Sequence, residues 1–307
     1  MKVLVFLSTK IQAFCLSAEL FQNLKEKFPS WNFIQVSNEK DAESNLSDTD
    51  IFVTWLFKKE WYEKAPCLKA IFSPAAGKER IHHEPSGKVA VFHGAFHGPL
   101  MAESLLSMIL FFNRRMSQSI YNKEHRIWDP QYLCNTSMLG AQHVVIVGFG
   151  SIGRACAKVL KPFGTHITGI RRSEYDPVKD CDADLVTNPE KLFDILKYAD
   201  HIVSILPGGQ NTDRFFSKDH FSTMKKEAFF YNLGRGNSYL ESDLVEALKG
   251  GKIAGAGLDV FNKEPLDPAS PLWGFPNVFI MPHGSAITKE YMVFFVNELI
   301  ERLRIYA

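Results

Sequence analysis

The sequence predicts an α/β fold built on mainly parallel sheet, and three observations predict it. Short apolar runs recur through the first third of the chain, namely KVLVFL, NFIQV, IFVTW, KAIFS and VAVF. More polar stretches separate them and can supply crossover helices. A second series, VVIVG, HITGI, HIVSIL, AFFYNL, KIAGAGLDV and NVFIM, occupies residues 144–281. Within it, VVIVG passes directly into a glycine turn and then into a segment of helix-forming character, SIGRACAKVLKPFG.

Taken in order, the first strand begins near Lys2, and a helix follows between Ala18 and Lys27. DAESNLSDTD carries only a partial helical signal. Gly98 and Pro99 read as boundary residues before a helix from Met101 to about Met116, on which Leu105, Met108, Ile109 and Phe112 share one broad face. Such an element suits a connection between domains, a subunit interface, or both. A second unit starts near Leu139-Gly140, and the terminal EYMVFFVNELIERLRIY predicts a helix with apolar and polar faces. No solenoid repeat, coiled coil or low-complexity segment interrupts this order.

A chain of 307 residues is long enough for two domains of ordinary size. Its 35 basic and 34 acidic side chains nearly balance, which argues against a general attraction to nucleic acid or to an anionic membrane. VLVFL is too short to span a bilayer and lacks a signal-peptide cleavage pattern. MAESLLSMILFFNRR contains Glu103 and ends in two arginines, as a packed helix does. The ten histidines form no tight metal-binding tract, and no metal is expected. Cys15, Cys67, Cys134, Cys156 and Cys181 form no CxxC, so they read as reduced, buried thiols of a cytoplasmic protein. A catalytic thiol is the alternative, and no cysteine has the adjacent histidine motif for it.

In the turn Gly148-Phe149-Gly150-Ser151-Ile152-Gly153, Gly148 permits the tight bend, Gly150 leaves room for pyrophosphate, and Gly153 lets the new helix approach the sheet. The exposed amides at the helix start favour anionic oxygens. A glycine turn needed only for packing is the competing reading, and the strand-turn-helix context favours phosphate. About twenty residues on, where NAD-binding relatives of this motif place an acid, the chain reads Arg171-Arg172-Ser173. Arginine cannot accept hydrogen bonds from a ribose, but its donors match a 2′-phosphate. Against a merely solvated basic loop, this position after a strand favours NADPH/NADP+, with NADH/NAD+ also compatible.

Arg235 in NLGRG, Glu264 in DVFNKEPL and His283 in MPHGSA each follow or approach a strand end, where an open α/β fold builds its ligand crevice. Singly, each has a structural explanation. Together they suit reduction of a ketoacid. A guanidinium fork can hold the substrate carboxylate, a histidine can give a proton to the carbonyl oxygen, and a neighbouring carboxylate favours the protonated imidazole.

With LKAIFSPAAGKERI, MAES, GFGSIG, ILPGGQNTD, NLGRG, AGLDVFNKEPL and MPHGSA in this order, the sequence resembles the D-isomer-specific 2-hydroxyacid dehydrogenases, especially their small glyoxylate/hydroxypyruvate reductase branch. The resemblance covers nearly the whole chain. It implies Arg235 as the substrate-orienting arginine, Glu264 as the acidic partner, and His283 as the acid/base. It also implies that Asp259 contacts the nicotinamide carboxamide and that Ala75, Ala76 and Gly77 offer main-chain donors to the substrate carboxylate. Leu206, Pro207, Thr212, Leu233 and Gly234 fall in its cofactor-contact segments, and Asn232 with Gly234 shapes the turn carrying Arg235. Trp55 fits either the substrate pocket or core packing. The chain departs from many relatives at Lys78 and Glu79, which leaves the pocket charge open, and at Gly208 and Gly209, where a side-chain cofactor contact is missing.

The resemblance further implies two Rossmann-like domains, with an NAD(P)-binding domain over residues 99–284 inserted into a flavodoxin-like substrate domain formed by 1–98 and the returning tail 285–307. Catalysis would occur in the cleft between them, and residues 101–135 would make an interdomain or homodimer contact. The expected activity is NADPH-preferring reduction of glyoxylate and hydroxypyruvate, small 2-oxoacids that become 2-hydroxyacids. Reduction of larger 2-oxoacids such as phenylpyruvate is the first alternative. A nucleotide-sensing regulatory protein on the same fold is the second.

Overall fold

Apolar β-rich runs and capped polar segments alternate along the whole chain in a computed structural model, which describes residues 1–84 and 86–307. The first stretch contains β1 (Lys2–Phe6), α1 (Ala18–Lys27), β2 (Asn32–Gln35), α2 (Glu39–Ser44), β3 (Ile51–Thr54), α3 (Trp61–Lys64), β4 (Ala70–Ser73) and β5 (Ala90–His93). Then come α4 (His97–Asn113), α5 (Met116–Glu124), β6 (His143–Val147), α6 (Ser151–Leu160), β7 (His166–Ile170), β8 (Leu185–Thr187), α7 (Leu192–Leu196) and β9 (His201–Ser204). The chain continues through α8 (Lys218–Thr223), β10 (Phe229–Asn232), α9 (Glu241–Lys249), β11 (Gly255–Leu258) and β12 (Val278–Ile280), and finishes with α10 (Tyr291–Leu303).

Two compact units result: Met1–His97 with Ile287–Ala307, and Gly98–Ala286. In the first, five parallel strands lie in the order β2-β1-β3-β4-β5, the flavodoxin-like arrangement. Helix α1 starts where the Ser17 side chain accepts from the Leu20 amide at 3.2 Å. Lys25 and Lys27 in its last turn complement the helix dipole. Helix α10 buries Tyr291, Met292, Phe295, Val296, Leu299 and Leu303 on one face, as the period of the terminal segment predicts.

The second unit carries seven parallel strands in the order β12-β11-β10-β9-β6-β7-β8, with the chain doubling back between β6 and β9. Alternation along β6 sends Val145 and Val147 into one core with Leu192, Phe221 and Leu244. Val144 and Ile146 enter the opposite core with Leu105, Met108 and Leu160. Both faces are covered, which is why these strands read as continuous apolar runs.

The predicted helix of residues 101–116 is displaced. It starts at His97, so Gly98 and Pro99 lie inside its first turn, where proline lacks only an amide that would be unpaired anyway. A Cβ at Gly98 would stand 2.7 Å from the Ala155 Cβ on α6, so glycine is needed for this approach. The helix ends at Asn113, and Arg115, at φ +50°, separates it from α5. The expectation of buried thiols is corrected as well. All five cysteines are free, but only Cys156 is buried, its thiol pushed up to about 12 by burial, while Cys67, Cys134 and Cys181 are exposed. Cys67 and Cys181 lie in turns and Cys134 in a short 3-10 helix with no buried residue, away from the apolar periodicity that fixes a core position. Among the described residues no helix is long and apolar enough to cross a membrane, and no three His, Cys, Asp or Glu residues group as a metal site.

Candidate active site

β6 ends where the strand order of the second unit reverses, the place where open α/β sheets bind ligands. Gly148 turns there with φ +97°, and a Cβ would lie 2.4 Å from the Ile205 carbonyl oxygen. At Gly153 a Cβ would meet the Gly148 oxygen at 3.0 Å, so glycine seats the first turn of α6 on the strand. Over Gly150 the space is open, and no side chain caps the start of α6. The helix-start amides of Ser151, Ile152 and Gly153 are thus presented to an anion. Phe149 is buried with its ring against Gly169, and its amide donates to the Ile170 oxygen at 3.0 Å, so it holds the turn in place.

The neighbouring strand ends complete the frame. Leu206 and Leu233 are buried, and a Cβ at Gly234 would stand 2.4 Å from the Leu206 oxygen. The Thr212 hydroxyl donates to the Pro207 oxygen at 2.6 Å, closing a loop in which Gly209 has φ +135° with no atom near its Cβ position. A glycine turn at the switch point, an uncapped helix start and open space above them fit a dinucleotide.

The pair after β7 splits in two. Arg171 turns inward: its Nη1 and Nη2 donate to the two oxygens of Asp180 at 3.0 and 2.6 Å, and its Nε to the Ser173 carbonyl at 3.1 Å. Arg172 and Ser173 are exposed. Asp180 also accepts from Arg154 Nε at 2.7 Å and from the Asp176 amide at 2.7 Å. Burial works against its ionisation, but the Asp176 amide and the two guanidiniums outweigh that and hold its carboxyl below the usual range. Neither Asp180 nor Arg154 belongs to a motif that marks it in the sequence.

Three strand ends of the same unit carry the acid–base residues. After β10, Asn232 Nδ2 donates to the Arg235 oxygen at 3.0 Å, and its Oδ1 accepts the Gly234 amide at 3.1 Å. A Cβ at Gly236 would lie 2.0 Å from the Phe261 carbonyl, so two glycines let the Arg235 loop nest between its neighbours. Arg235 itself is half-buried, with Nη1 donating to the Gly234 oxygen at 2.8 Å. Beyond β11, the Phe261 amide donates to Glu264 Oε1 at 3.0 Å, and Glu264 Oε2 lies 2.7 Å from His283 Nδ1. A carboxylate accepts only, so Nδ1 carries the proton in this bond, and Nε2 has no hydrogen-bond partner among the described residues. His283 is exposed and sits at φ +52°. Asp259 enforces that backbone. Its carbonyl accepts the His283 amide at 2.8 Å, and its Oδ1 accepts Gly284 N at 2.6 Å and Ser285 N at 3.1 Å. Ser104 of MAES donates to the Ser285 carbonyl at 2.7 Å, a support that the motif did not reveal.

In the first unit, Trp55 follows β3 and is half-buried, 5.2 Å between ring centroids from Phe14 and 6.1 Å from Tyr291. Its indole nitrogen is buried with no partner among the described residues. Ala75, Ala76 and Gly77 follow β4, and the Ala75 carbonyl accepts the Gly94 amide at 3.1 Å. Lys78 and Glu79 follow, both exposed.

A doubly wound sheet with a dinucleotide turn at its switch point, and a carboxylate-backed histidine past its strand ends, defines an NAD(P)-binding α/β protein. The profile of "D-isomer specific 2-hydroxyacid dehydrogenase, NAD binding domain" matches residues 106–285, more than half of the chain. The chain belongs to the D-isomer specific 2-hydroxyacid dehydrogenase family. The glyoxylate reductase/hydroxypyruvate reductase of Homo sapiens is 36% identical over 192 residues, covering 60% of this chain and 57% of that protein, so the chain spans less than two thirds of that relative. A solved family protein from Aeromonas salmonicida is 30% identical, with a TM-score of 0.79 over 99% of this chain and 94% of its own. An NADPH-dependent glyoxylate/hydroxypyruvate reductase from Sinorhizobium meliloti, solved with NADP and sulfate, is 26% identical, with a TM-score of 0.77 over 99% and 95%.

Proposed function

We propose that the protein is an NADPH-preferring reductase of small 2-oxoacids, converting glyoxylate to glycolate and hydroxypyruvate to D-glycerate. The observation that carries this reading is the His283–Glu264 pair at 2.7 Å, in the unit that also holds the dinucleotide turn. The names of the human and S. meliloti relatives point the same way.

When bound, the nicotinamide supplies the hydride that the substrate carbonyl carbon accepts. His283 gives the accompanying proton to the carbonyl oxygen from Nε2, and Glu264 at Nδ1 fixes the ring orientation that presents it. Arg235 aligns the substrate carboxylate through its planar fork. Ala75, Ala76 and Gly77 lend main-chain donors to the same carboxylate. The unpartnered Trp55 indole N–H favours the pocket role for that residue over packing alone. Asp259, with its carboxylate committed to the turn, acts in this reading by positioning His283. We also propose a homodimer.

Purified protein tested with NADPH and with NADH against glyoxylate, hydroxypyruvate, pyruvate and phenylpyruvate provides the test, scored by kcat/KM. One of the first two substrates leads, and NADPH gives the higher value. Strong phenylpyruvate turnover with negligible activity on both small substrates would make the protein a reductase of larger 2-oxoacids. Tight nucleotide binding without turnover would make it a regulatory protein. Arg235→Lys keeps the charge but loses two-point geometry, and kcat/KM for small oxoacids falls by about tenfold or more. An unchanged value removes Arg235 from the carboxylate role.

A further inference from the structure

We propose that Asp180 is the positioning residue for recognition of the cofactor's 2′-phosphate: it immobilises Arg171 so that Arg172 alone reads the phosphate. The inference rests on the NADPH reading given above. Two arginines side by side after β7 suggest two phosphate ligands, and the geometry divides them. The Arg171 side chain is only 9% exposed, against 0% for Asp180. Nε, Nη1 and Nη2 of Arg171 all donate inward, to Ser173 O, Asp180 Oδ1 and Asp180 Oδ2, with Nη2 also donating to Glu174 O. Arg172 and Ser173, by contrast, are exposed.

The clamp ties together the two places where a dinucleotide's phosphates are expected. Arg154 lies on α6, one residue past the glycine turn, and donates to Asp180 Oδ1 at 2.7 Å. Arg171 heads the loop after β7 and holds the Ser173 and Glu174 carbonyls, so the backbone around Ser173 wraps its own preceding arginine. Asp180 closes that loop from its far end, accepting the Asp176 amide at 2.7 Å while its own amide donates to the Asp176 carbonyl at 2.8 Å. A buried carboxylate with four N–H donors on its two oxygens thereby fixes where Arg172 and Ser173 leave β7. Breaking a bidentate pair of this kind would leave the buried Asp180 carboxylate uncompensated, so Arg171 does not exchange Asp180 for a solvent-facing phosphate.

The clamp is tested by calorimetric binding of 2′,5′-ADP and of ADP, which lacks the 2′-phosphate, to the ligand-free protein. Wild type binds 2′,5′-ADP more tightly. Asp180→Asn weakens 2′,5′-ADP by about tenfold and ADP by less than about threefold, because only the phosphate-reading loop loses its anchor. Equal weakening of both ligands, or none, overturns the proposal. Tighter 2′,5′-ADP binding also overturns it, because a released Arg171 would then be reading the phosphate directly. Arg172 is exposed and tolerates replacement, so Arg172→Ala gives a second test independent of the buried pair. It removes the preference for 2′,5′-ADP, and adding Arg171→Lys changes nothing further. A preference that survives Arg172→Ala and disappears only with Arg171→Lys overturns the clamp. Should wild type bind the two ligands equally, the cofactor reading falls and takes the clamp with it; a wild-type preference retained in Asp180→Asn removes the clamp alone.

Discussion

His283 is a non-glycine residue held in left-handed backbone, a conformation that costs about 1–3 kcal/mol and persists only where the surroundings impose it. Asp259 imposes it here through its carbonyl and its carboxylate, and Glu264 then fixes the ring. His283→Ala therefore lowers the rate of 2-oxoacid reduction by about 10²–10⁴-fold, while cofactor affinity stays within about threefold. Glu264→Gln also slows reduction, since the neutral amide lacks the carboxylate charge that complements a doubly protonated ring, and an amide that donates to Nδ1 leaves that nitrogen without its proton. Pre-steady-state traces with folded variants check both, and an unchanged single-turnover rate in His283→Ala removes its role. Residue types were legible where chemistry limits the choice: an arginine, a carboxylate and a histidine near three strand ends suggest a ketoacid site. Which donor faces which acceptor was not. Arg171 and Arg172 look equivalent in a string of letters, and only the returning loop that brings Asp180 beneath Arg171 tells them apart.

Elements were legible where periodicity and capping coincide. Helix α1 is one case, with Ser17 at its start, and β6 running into the glycine turn is another. The start of α4 was not, because Gly98-Pro99 reads equally as a boundary or as a first helical turn, and contact with Ala155 decides. The His201 network at the start of β9 was also unreadable. His201 Nδ1 lies 3.0 Å from the Tyr231 hydroxyl and Nε2 lies 3.0 Å from Gln142 Oε1, which also accepts from Asn113. Burial pushes His201 down to about 4 from 6.5. Between those values the unfolded chain binds a proton that the folded one refuses, so stability is fully present above 6.5 and lost as pH falls toward 4, by up to about 3 kcal/mol. Urea unfolding at neutral pH and near pH 4 checks this against His201→Gln. The variant is less stable at neutral pH but loses less on acidification, and an equal loss in both proteins excludes His201 as the source.

At the scale of the molecule, two parallel sheets follow from strand-helix alternation, but their strand orders do not, since right-handed crossovers permit several. The sequence also leaves undetermined which apolar side chains stay outside. In the second unit, α5 and the segment after it expose Ile120, Tyr121, Ile127, Trp128, Leu133 and Met138, with Trp128 98% and Met138 78% accessible. Single exposed apolar residues are ordinary, but this many within about twenty residues of chain, including an almost fully exposed tryptophan, exceed what an isolated surface carries without use. Aromatic anchors of this type dominate association energies. A second copy of the chain is the proposed occupant, through a surface that lies mostly within residues 101–135, for which the family resemblance implies an interdomain or subunit contact. Sedimentation at micromolar concentration then gives a dimer for the wild type. Trp128→Lys shifts it toward monomer with thermal stability of the isolated chain nearly unchanged, because a residue this exposed contributes little to its own fold. A wild-type protein that sediments as a monomer throughout that range removes the dimer, and a Trp128→Lys dimer of undiminished affinity moves the interface elsewhere on the surface.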